Sequence, residues 1–272
     1  MTARAAPALA LEGITCTFAP STRGALPYTA LLEASLQIGR GEFVSIVGPT
    51  GCGKSTLLNV SAGLLAPTAG TVRVDGRPLA GLNRDAGYIF QADALMPWRD
   101  ARANVAAGLQ FRGGERGETL RRAEEWLARV GLAGFGDRYP PQLSGGMRKR
   151  VALAQTLILD PKIILMDEPF SALDVQTRQL MENELLDLWS ADRKSVVFIT
   201  HDLEEAISLS DRVIVLSAGP ASRPIGQFPI GLPRPRDVAE VRLTRSFLEL
   251  HREIWELLKA EVLKGHAQRE RD

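Results

Sequence analysis

One octet constrains this chain more than any other stretch: Gly48-Pro49-Thr50-Gly51-Cys52-Gly53-Lys54-Ser55. It fills every fixed position of the G-x-x-x-x-G-K-[ST] phosphate loop. The apolar run Phe43–Val47 precedes it and a helical pattern through Leu64 follows, which predicts a buried strand, a tight loop and a helix start. The glycines let main-chain N–H groups curl around an anion with no Cβ in the way. The helix start adds partial positive charge at the same point. Residues 48–56, ending at Thr56, are therefore expected to hold nucleotide phosphates. Lys54 would reach the β- and γ-phosphates and the Ser55 hydroxyl would ligate Mg²⁺. Cys52 is expected to do no more than fill space. The motif implies a nucleoside triphosphate without saying how its energy is used, since kinases, GTPases and motors share it.

A second apolar run, residues 163–166, ends in Asp167-Glu168. A buried strand there would deliver Asp167 to the Mg²⁺ shell and set Glu168 beside it as general base for the attacking water. Gln91 closes the short run 88–90 and offers an amide to both metal and water. His201 follows the run 196–199 and Thr200, where a ring nitrogen can meet a γ-phosphate. Taken singly, these two are weak signals. The segment Leu143-Ser144-Gly145-Gly146-Met147 is a second Gly-rich helix start with a capping serine, and thus a second anion-seeking site. One phosphate loop already surrounds one nucleotide, so this second site needs its own explanation.

Strands are expected over Leu9–Phe18, 31–38, 43–47, 71–74 and 88–91, then as compact buried runs at 163–166, 196–199 and 213–216. Helical patterns cover 102–130 as one stretch, 144–159, 174–189 and 202–209. Buried runs alternating with helices describe a parallel sheet covered on both faces. A proline-dense stretch (Pro220, Pro224, Pro229, Pro233, Pro235) then interrupts the pattern. A last helix carries Leu243, Phe247, Leu250, Ile254, Leu257 and Leu258 as one stripe, expected to pack on its own domain.

With 33 Lys and Arg against 32 Asp and Glu in 272 residues, the net charge of +1 gives no polyanion footprint. The basic run Arg148-Lys149-Arg150 reads as a solvated helix face rather than a nucleic-acid contact. Cys16 and Cys52 make no disulfide framework, and the three histidines (His201, His251, His266) are scattered, so a reducing, cytosolic setting is expected. The first 13 residues lack a signal-peptide core. No apolar run reaches the roughly 18 residues of a membrane span; the uncharged run 55–72 is broken by Asn59, Gly63, Pro67 and Gly70.

Together these motifs closely resemble the ABC (ATP-binding cassette) ATPase family over residues 8–220. The octet matches its Walker A, 163–168 its Walker B, and LSGGM its signature, lying between them as in a single cassette. The resemblance implies an α/β fold: a P-loop NTPase-type, mostly parallel sheet, an N-terminal antiparallel β subdomain, and an inserted α-helical signature subdomain at about 92–158. Residues 221–272 would be a proline-rich connector and a C-terminal helix. It further implies that Ser144, Gly145 and Gly146 contact the γ-phosphate held by a partner's Walker A, in a head-to-tail dimer sandwiching two ATP molecules. Asp174 in the D-loop 171–174 would pass between the sites, Gln91 would be the Q-loop glutamine and His201 the switch histidine. Phe18 would stack on adenine, with Tyr28 second choice because it falls in a Pro/Gly-containing insert. Departures are modest: Phe18 for Tyr, Ser171 for Gly, Lys149 for Gln and Gln155 for Arg, the last two away from the nucleotide chemistry.

The segment from Gln91 to Arg99, with Leu95-Met96-Pro97-Trp98-Arg99, resembles the nitrate/sulfonate/taurine importer group, as do residues 168–174 and Pro233-Arg234-Pro235-Arg236-Asp237. That group implies ATP and Mg²⁺ as ligands, and a second copy or a homologous ATPase as partner. It also implies a transmembrane permease touching Trp98, a periplasmic substrate-binding protein acting indirectly, no nucleic acid, and a place at the cytoplasmic face of the inner membrane. The chain ends without a long regulatory domain, as is usual there. An exporter ATPase fits the Trp98 segment less well. A soluble ABC ATPase acting on nucleic acid would carry a second cassette or a long insertion, and a P-loop kinase has no use for LSGGM.

Overall fold

The computed structural model describes residues 6–20 and 26–269. Residues 1–5, part of the stretch read as lacking a signal peptide, lie outside the described residues, as does the side chain of His266. The chain runs β1 (Leu9–Phe18), β2 (Tyr28–Ile38), β3 (Phe43–Val47), α1 (Lys54–Ser61), β4 (Ala69–Val74), β5 (Arg77–Pro78) and β6 (Ala86–Ile89). Three helices follow: α2 (Ala101–Phe111), α3 (Arg116–Arg129) and α4 (Gly145–Leu157). Next come β7 (Ile163–Asp167), α5 (Val175–Asp192), β8 (Ser195–Ile199), α6 (Leu203–Leu209) and β9 (Arg212–Leu216). The chain closes with β10 (Pro224–Pro229), α7 (Val238–Val241) and α8 (Arg245–Arg269).

The strands form two sheets. The antiparallel one has the order β2-β1-β4-β5, and the other, β10-β9-β3-β8-β7-β6, is parallel except at β10. All five residues of β3 and of β8 are buried, as central parallel strands with helices on both faces must be. The α/β architecture with an antiparallel β portion is thus the one expected from sequence. One apolar cluster joins Leu9, Ile14 and Leu36 of the antiparallel sheet to Leu57 and Leu58 of α1 and Ile46, Leu165 and Val197 of the parallel one. A separate cluster, with Val105, Ala123, Leu127, Val151 and Ala154, holds α2, α3 and α4 together.

Several expectations are corrected. The single helical stretch 102–130 is two helices. Gly113 and Gly114 close α2 through bonds to Gln110 O and Leu109 O, and the Glu115 carboxylate caps α3 by accepting from Gly117 N and Glu118 N. The proline-dense stretch contains β10, which runs antiparallel to β9 at the sheet edge. Pro224 and Pro229 stand at its two ends, where a missing N–H is tolerated. Tyr28 opens β2 opposite Phe18 rather than lying in an insert. Leu243 precedes α8 and is exposed, whereas Phe247, Ile254 and Leu258 are buried against Val47, Leu203, Ala206 and Val215. The basic run is not a solvated face: Lys149 is buried, Arg148 pairs with Asp93 and Arg150 with Glu184.

Candidate active site

The phosphate loop leaves β3 and enters α1 through Gly53, whose φ of +90° is a left-handed conformation that favours glycine. Gly48 is packed as tightly: a Cβ there would lie 2.9 Å from Cys52 Sγ and 3.1 Å from Leu216 O. Cys52 is buried beneath the loop, as its space-filling reading requires, and burial pushes its thiol pKa up. The Lys54 ammonium is drawn into the loop, donating to Gly48 O at 2.9 Å and Pro49 O at 3.1 Å. These two bonds fix a buried cation against the carbonyls that open the loop. A cleft of about 390 Å³ opens over it, lined by Thr50, Gly51, Gly53, Lys54, Ser55 and Thr56, by Phe18, Tyr28 and Ala30, and by Gln91 and Glu168. Both aromatic candidates therefore face the same cleft, and the Tyr28 hydroxyl donates to Gly51 O at 3.4 Å.

The opposite wall comes from Gln91 and Glu168, which follow β6 and β7, whereas His201, after β8, borders a separate small cavity with Pro49 and Thr50. The Ser55 hydroxyl donates to Asp167 Oδ1 at 3.1 Å. Burial pushes the Asp167 carboxyl up, and neighbouring Glu168 adds to the shift; the bonds from Ser55 and Tyr88 and the charge of Lys54 oppose it. Glu168 takes a left-handed φ of +43°, sparsely populated for a non-glycine residue. Three bonds hold it there: Glu168 N donates to Ile199 O at 2.9 Å, and Glu168 O accepts from the Ser171 hydroxyl at 3.0 Å and from Ser171 N at 3.3 Å. The turn brings its carboxylate against His201 Nδ1, 3.1 Å from Oε2, and against Gln91 Nε2, which donates to the same oxygen at 3.4 Å. Glu168, His201 and Gln91, from three separate strand ends, thus meet at one carboxylate.

The donor set suits Mg²⁺. That ion keeps much of its water and asks a protein for one or two hard oxygen ligands beside those of a phosphate. Ser55 and Asp167 offer such a pair, and no cluster of three or more His, Cys, Asp or Glu that would trap a softer metal occurs among the described residues. A cation would also relieve the burial penalty on Asp167.

Ser144 caps α4 by accepting from Met147 N at 3.3 Å, and Asp174 caps α5 by accepting from Thr177 N at 3.0 Å, which lowers its pKa. Neither Ser144, Gly145 nor Gly146 lines the cleft of the same chain. A Cβ on Gly146 would come 2.8 Å from Thr177 Cγ2, so α4 and α5 approach closely at their starts. Trp98 is 73% exposed and so does not pack. Its loop is held by buried Asn104, which accepts from Met96 N at 2.7 Å and donates to Met96 O, Arg99 O and Asp100 O.

Sequence reasoning passed over three contributors. Ser171 was noted as a D-loop residue and a departure from glycine, with no part in holding Glu168, although a hydroxyl three residues after Glu168 is well placed to bond its carbonyl. Tyr88, whose hydroxyl pKa is pushed up by burial and by Asp167, forms part of that carboxylate's surroundings and left no mark in the sequence. Lys149 was hidden in a basic run, where only the fold reveals its partners.

A strand-loop-helix phosphate site facing a carboxylate pair on a parallel sheet defines a P-loop NTPase. The profile of the ABC transporter family matches residues 31–171. An uncharacterised ABC transporter ATP-binding protein of Methanocaldococcus jannaschii is 48% identical over 236 residues, 87% of this chain and 86% of that protein. The taurine import ATP-binding protein TauB of Yersinia pestis is 47% identical over 191 residues, covering 70% and 75% of the two chains. The dimeric post-hydrolysis structure of the ATP-binding cassette MJ0796, bound to ADP and Pi, superposes with a TM-score of 0.72 at 36% identity over 83% of this chain and all of that one. The chain belongs to the ABC transporter family and is one of its ATP-binding ATPases. No helix among the described residues is long and apolar enough to cross a membrane.

Proposed function

We propose that this ATPase energises an importer. It would work as half of a head-to-tail pair that sandwiches two ATP molecules and drives a permease from the cytoplasmic face of the membrane. The observation that carries this reading is the separation of two anion-seeking helix starts. The phosphate loop opens on one cleft, while Ser144-Gly145-Gly146 is absent from that cleft's lining and needs a nucleotide from another copy. That the similar cassette bound to ADP and Pi is dimeric supports a pairing of two copies.

In this reading Phe18 stacks on adenine with Tyr28 beside it, and residues 48–56 bind the phosphates, Lys54 spanning β and γ. Ser55, Asp167 and Gln91 would hold Mg²⁺, which when bound neutralises charge on the β- and γ-phosphates. Gln91 and Glu168 orient a water on the γ-phosphorus. The water oxygen forms its bond to phosphorus as the bond to the β–γ bridging oxygen breaks. Glu168 takes the water's proton, and ADP leaves with the electron pair beside inorganic phosphate. His201 steadies Glu168 through Oε2 and faces the γ-phosphate. Ser144, Gly145 and Gly146 complete the partner's site, and Asp174 runs between the two. Trp98, exposed on a braced loop, meets the permease. The cargo is a small anion such as nitrate, a sulfonate or taurine, delivered by a periplasmic binding protein; the 47%-identical taurine import protein favours taurine.

One variant tests the reading. Glu168→Gln should cut steady hydrolysis by about 10²-fold or more while ATP holds it as a dimer in size-exclusion chromatography. Reconstituted with the permease and binding protein, the same variant should abolish taurine uptake. Near wild-type hydrolysis would remove Glu168 from the base role, a monomer with ATP would remove the sandwich, and a wild-type assembly that ignores taurine would remove the cargo.

A further inference from the structure

We propose that Lys149 is a positioning residue that couples the two nucleotide sites of the assembled ATPase, an inference resting on the sandwich arrangement above. Lys149 lies on α4, the helix that Ser144 caps. Its side chain is only 5% exposed, and its ammonium donates to Gln91 O at 2.5 Å and sits 3.0 Å from Asp93 Oδ1. Arg148 holds the other oxygen of the same carboxylate, with Nε 2.9 Å from Asp93 Oδ2. Its Nη1 donates to Leu143 O at 2.7 Å, on the residue just before Ser144. Asp93 is thus gripped at both oxygens by consecutive residues of the signature helix.

These bonds form an unbroken polar path within one protomer. It runs from Leu143, at the edge of the signature, through Arg148 and Asp93 to Lys149, and from Lys149 to the main chain of Gln91. The Gln91 side chain completes it on Glu168 Oε2 at 3.4 Å, beside His201 on the same oxygen. One end of the path meets the partner's nucleotide in the sandwich, and the other meets the protomer's own general base. A buried ammonium is costly unless paired, so Lys149 does not drift from these partners as an exposed lysine would. A shift of α4 caused by the partner's γ-phosphate is therefore transmitted to the carbonyl of Gln91, and the amide that orients the attacking water moves with it. Occupation of one site then sets the geometry of the other, and hydrolysis depends cooperatively on ATP. A lysine that served only to neutralise Asp93 would affect stability and leave that cooperativity alone.

The test is ATPase activity of the full chain against ATP concentration, read as a Hill coefficient, whose upper limit is the number of sites. Wild type should approach two. Lys149→Gln, which loses the charge and the reach to Asp93, should fall towards one with turnover about tenfold lower. Its affinity for a fluorescent ATP analogue should change less than about twofold, because Lys149 lies outside the nucleotide cleft. Lys149→Arg should restore most of the cooperativity, and Asp93→Asn should reproduce Lys149→Gln. Asp93→Asn also carries the test if Lys149→Gln folds poorly, as thermal denaturation will show. Wild-type cooperativity in both Lys149→Gln and Asp93→Asn would overturn the proposal. A non-cooperative wild type whose Glu168→Gln variant stays monomeric with ATP would overturn the sandwich reading itself, a distinct result.

Discussion

Gly53 shows how a single position can serve conformation and chemistry at once. Its φ of +90° would cost an alanine about 1–2 kcal/mol through contact between Cβ and the following carbonyl. Its surroundings add a second penalty, since a Cβ would meet Leu31 Cδ2 at 3.0 Å and Ala30 O at 3.3 Å. Gly81 shares the first cost and not the second: its φ is +73°, but no atom lies within 4 Å of the added Cβ. Gly53→Ala should therefore lower stability by more than Gly81→Ala, which should lose only the ~1–2 kcal/mol backbone term. Urea denaturation of the two variants measures the difference. Binding of an ATP analogue should weaken in Gly53→Ala alone, because only Gly53 lines the cleft. Such residues were legible in the sequence, because a phosphate loop demands glycine at fixed places. Lys149 was not legible. Its meaning lies in Asp93 and Gln91, some 60 residues upstream in the chain and beside it only in the fold.

Elements differ in how plainly they announce themselves. β3, β7, β8 and β9 stood out as short apolar runs because strands buried on both faces leave no room for polar alternation. α4 stood out through its capping serine, Ser144, and the glycines that follow it. β10 was obscured by its prolines, and the break between α2 and α3 by an apolar stripe (Leu120, Ala123, Leu127) that belongs to α3 alone. Helix α7 was also missed; four residues long, it depends on a seam with α5. There Val238 N donates to Asn183 Oδ1 at 2.9 Å, and Arg242 Nη2 meets fully buried Glu182 at 3.0 Å. Burial outweighs Arg242 and pushes the Glu182 carboxyl up to about 7, from an ordinary 4.5. Between those values the folded chain holds a proton that the unfolded chain has lost. This contribution is complete below the unfolded pKa, shrinks as pH rises towards about 7, and is gone above it. Its full span is of order 3 kcal/mol, from 1.36 kcal/mol per pKa unit. Glu182→Gln, uncharged throughout, should lack this downward slope. Urea denaturation at stepped pH from 4.5 to 8 checks it, and parallel curves for the two proteins would place the titration elsewhere.

At the scale of the molecule, the C-terminal helix supports the phosphate loop from behind. Phe247, Ile254 and Leu258 of α8 share a core with Val47, the last residue of β3 before the octet, and with Val215 of β9. Further along α8, Glu261 Oε2 accepts from Ala218 N at 2.8 Å. A small cavity of about 160 Å³ there is bounded by Pro49, Thr50 and His201 on one side and by Trp255, Leu258 and Val262 on the other. Residues beyond 244 are therefore part of what fixes the loop between β3 and α1. Ile254 is fully buried, and its replacement by alanine should cost about 2–5 kcal/mol through lost transfer energy and a residual cavity. Against a total stability of roughly 5–15 kcal/mol, that loss is large. Leu263, exposed on the same helix, should tolerate alanine within about 0.5 kcal/mol. Thermal denaturation followed alongside ATPase activity separates two architectures. If α8 belongs to one cooperative core, Ile254→Ala lowers the melting temperature and activity disappears in the same transition. An unchanged main transition, with α8 melting alone at lower temperature, would make the helix an appendage and leave the phosphate loop to be held by the two sheets.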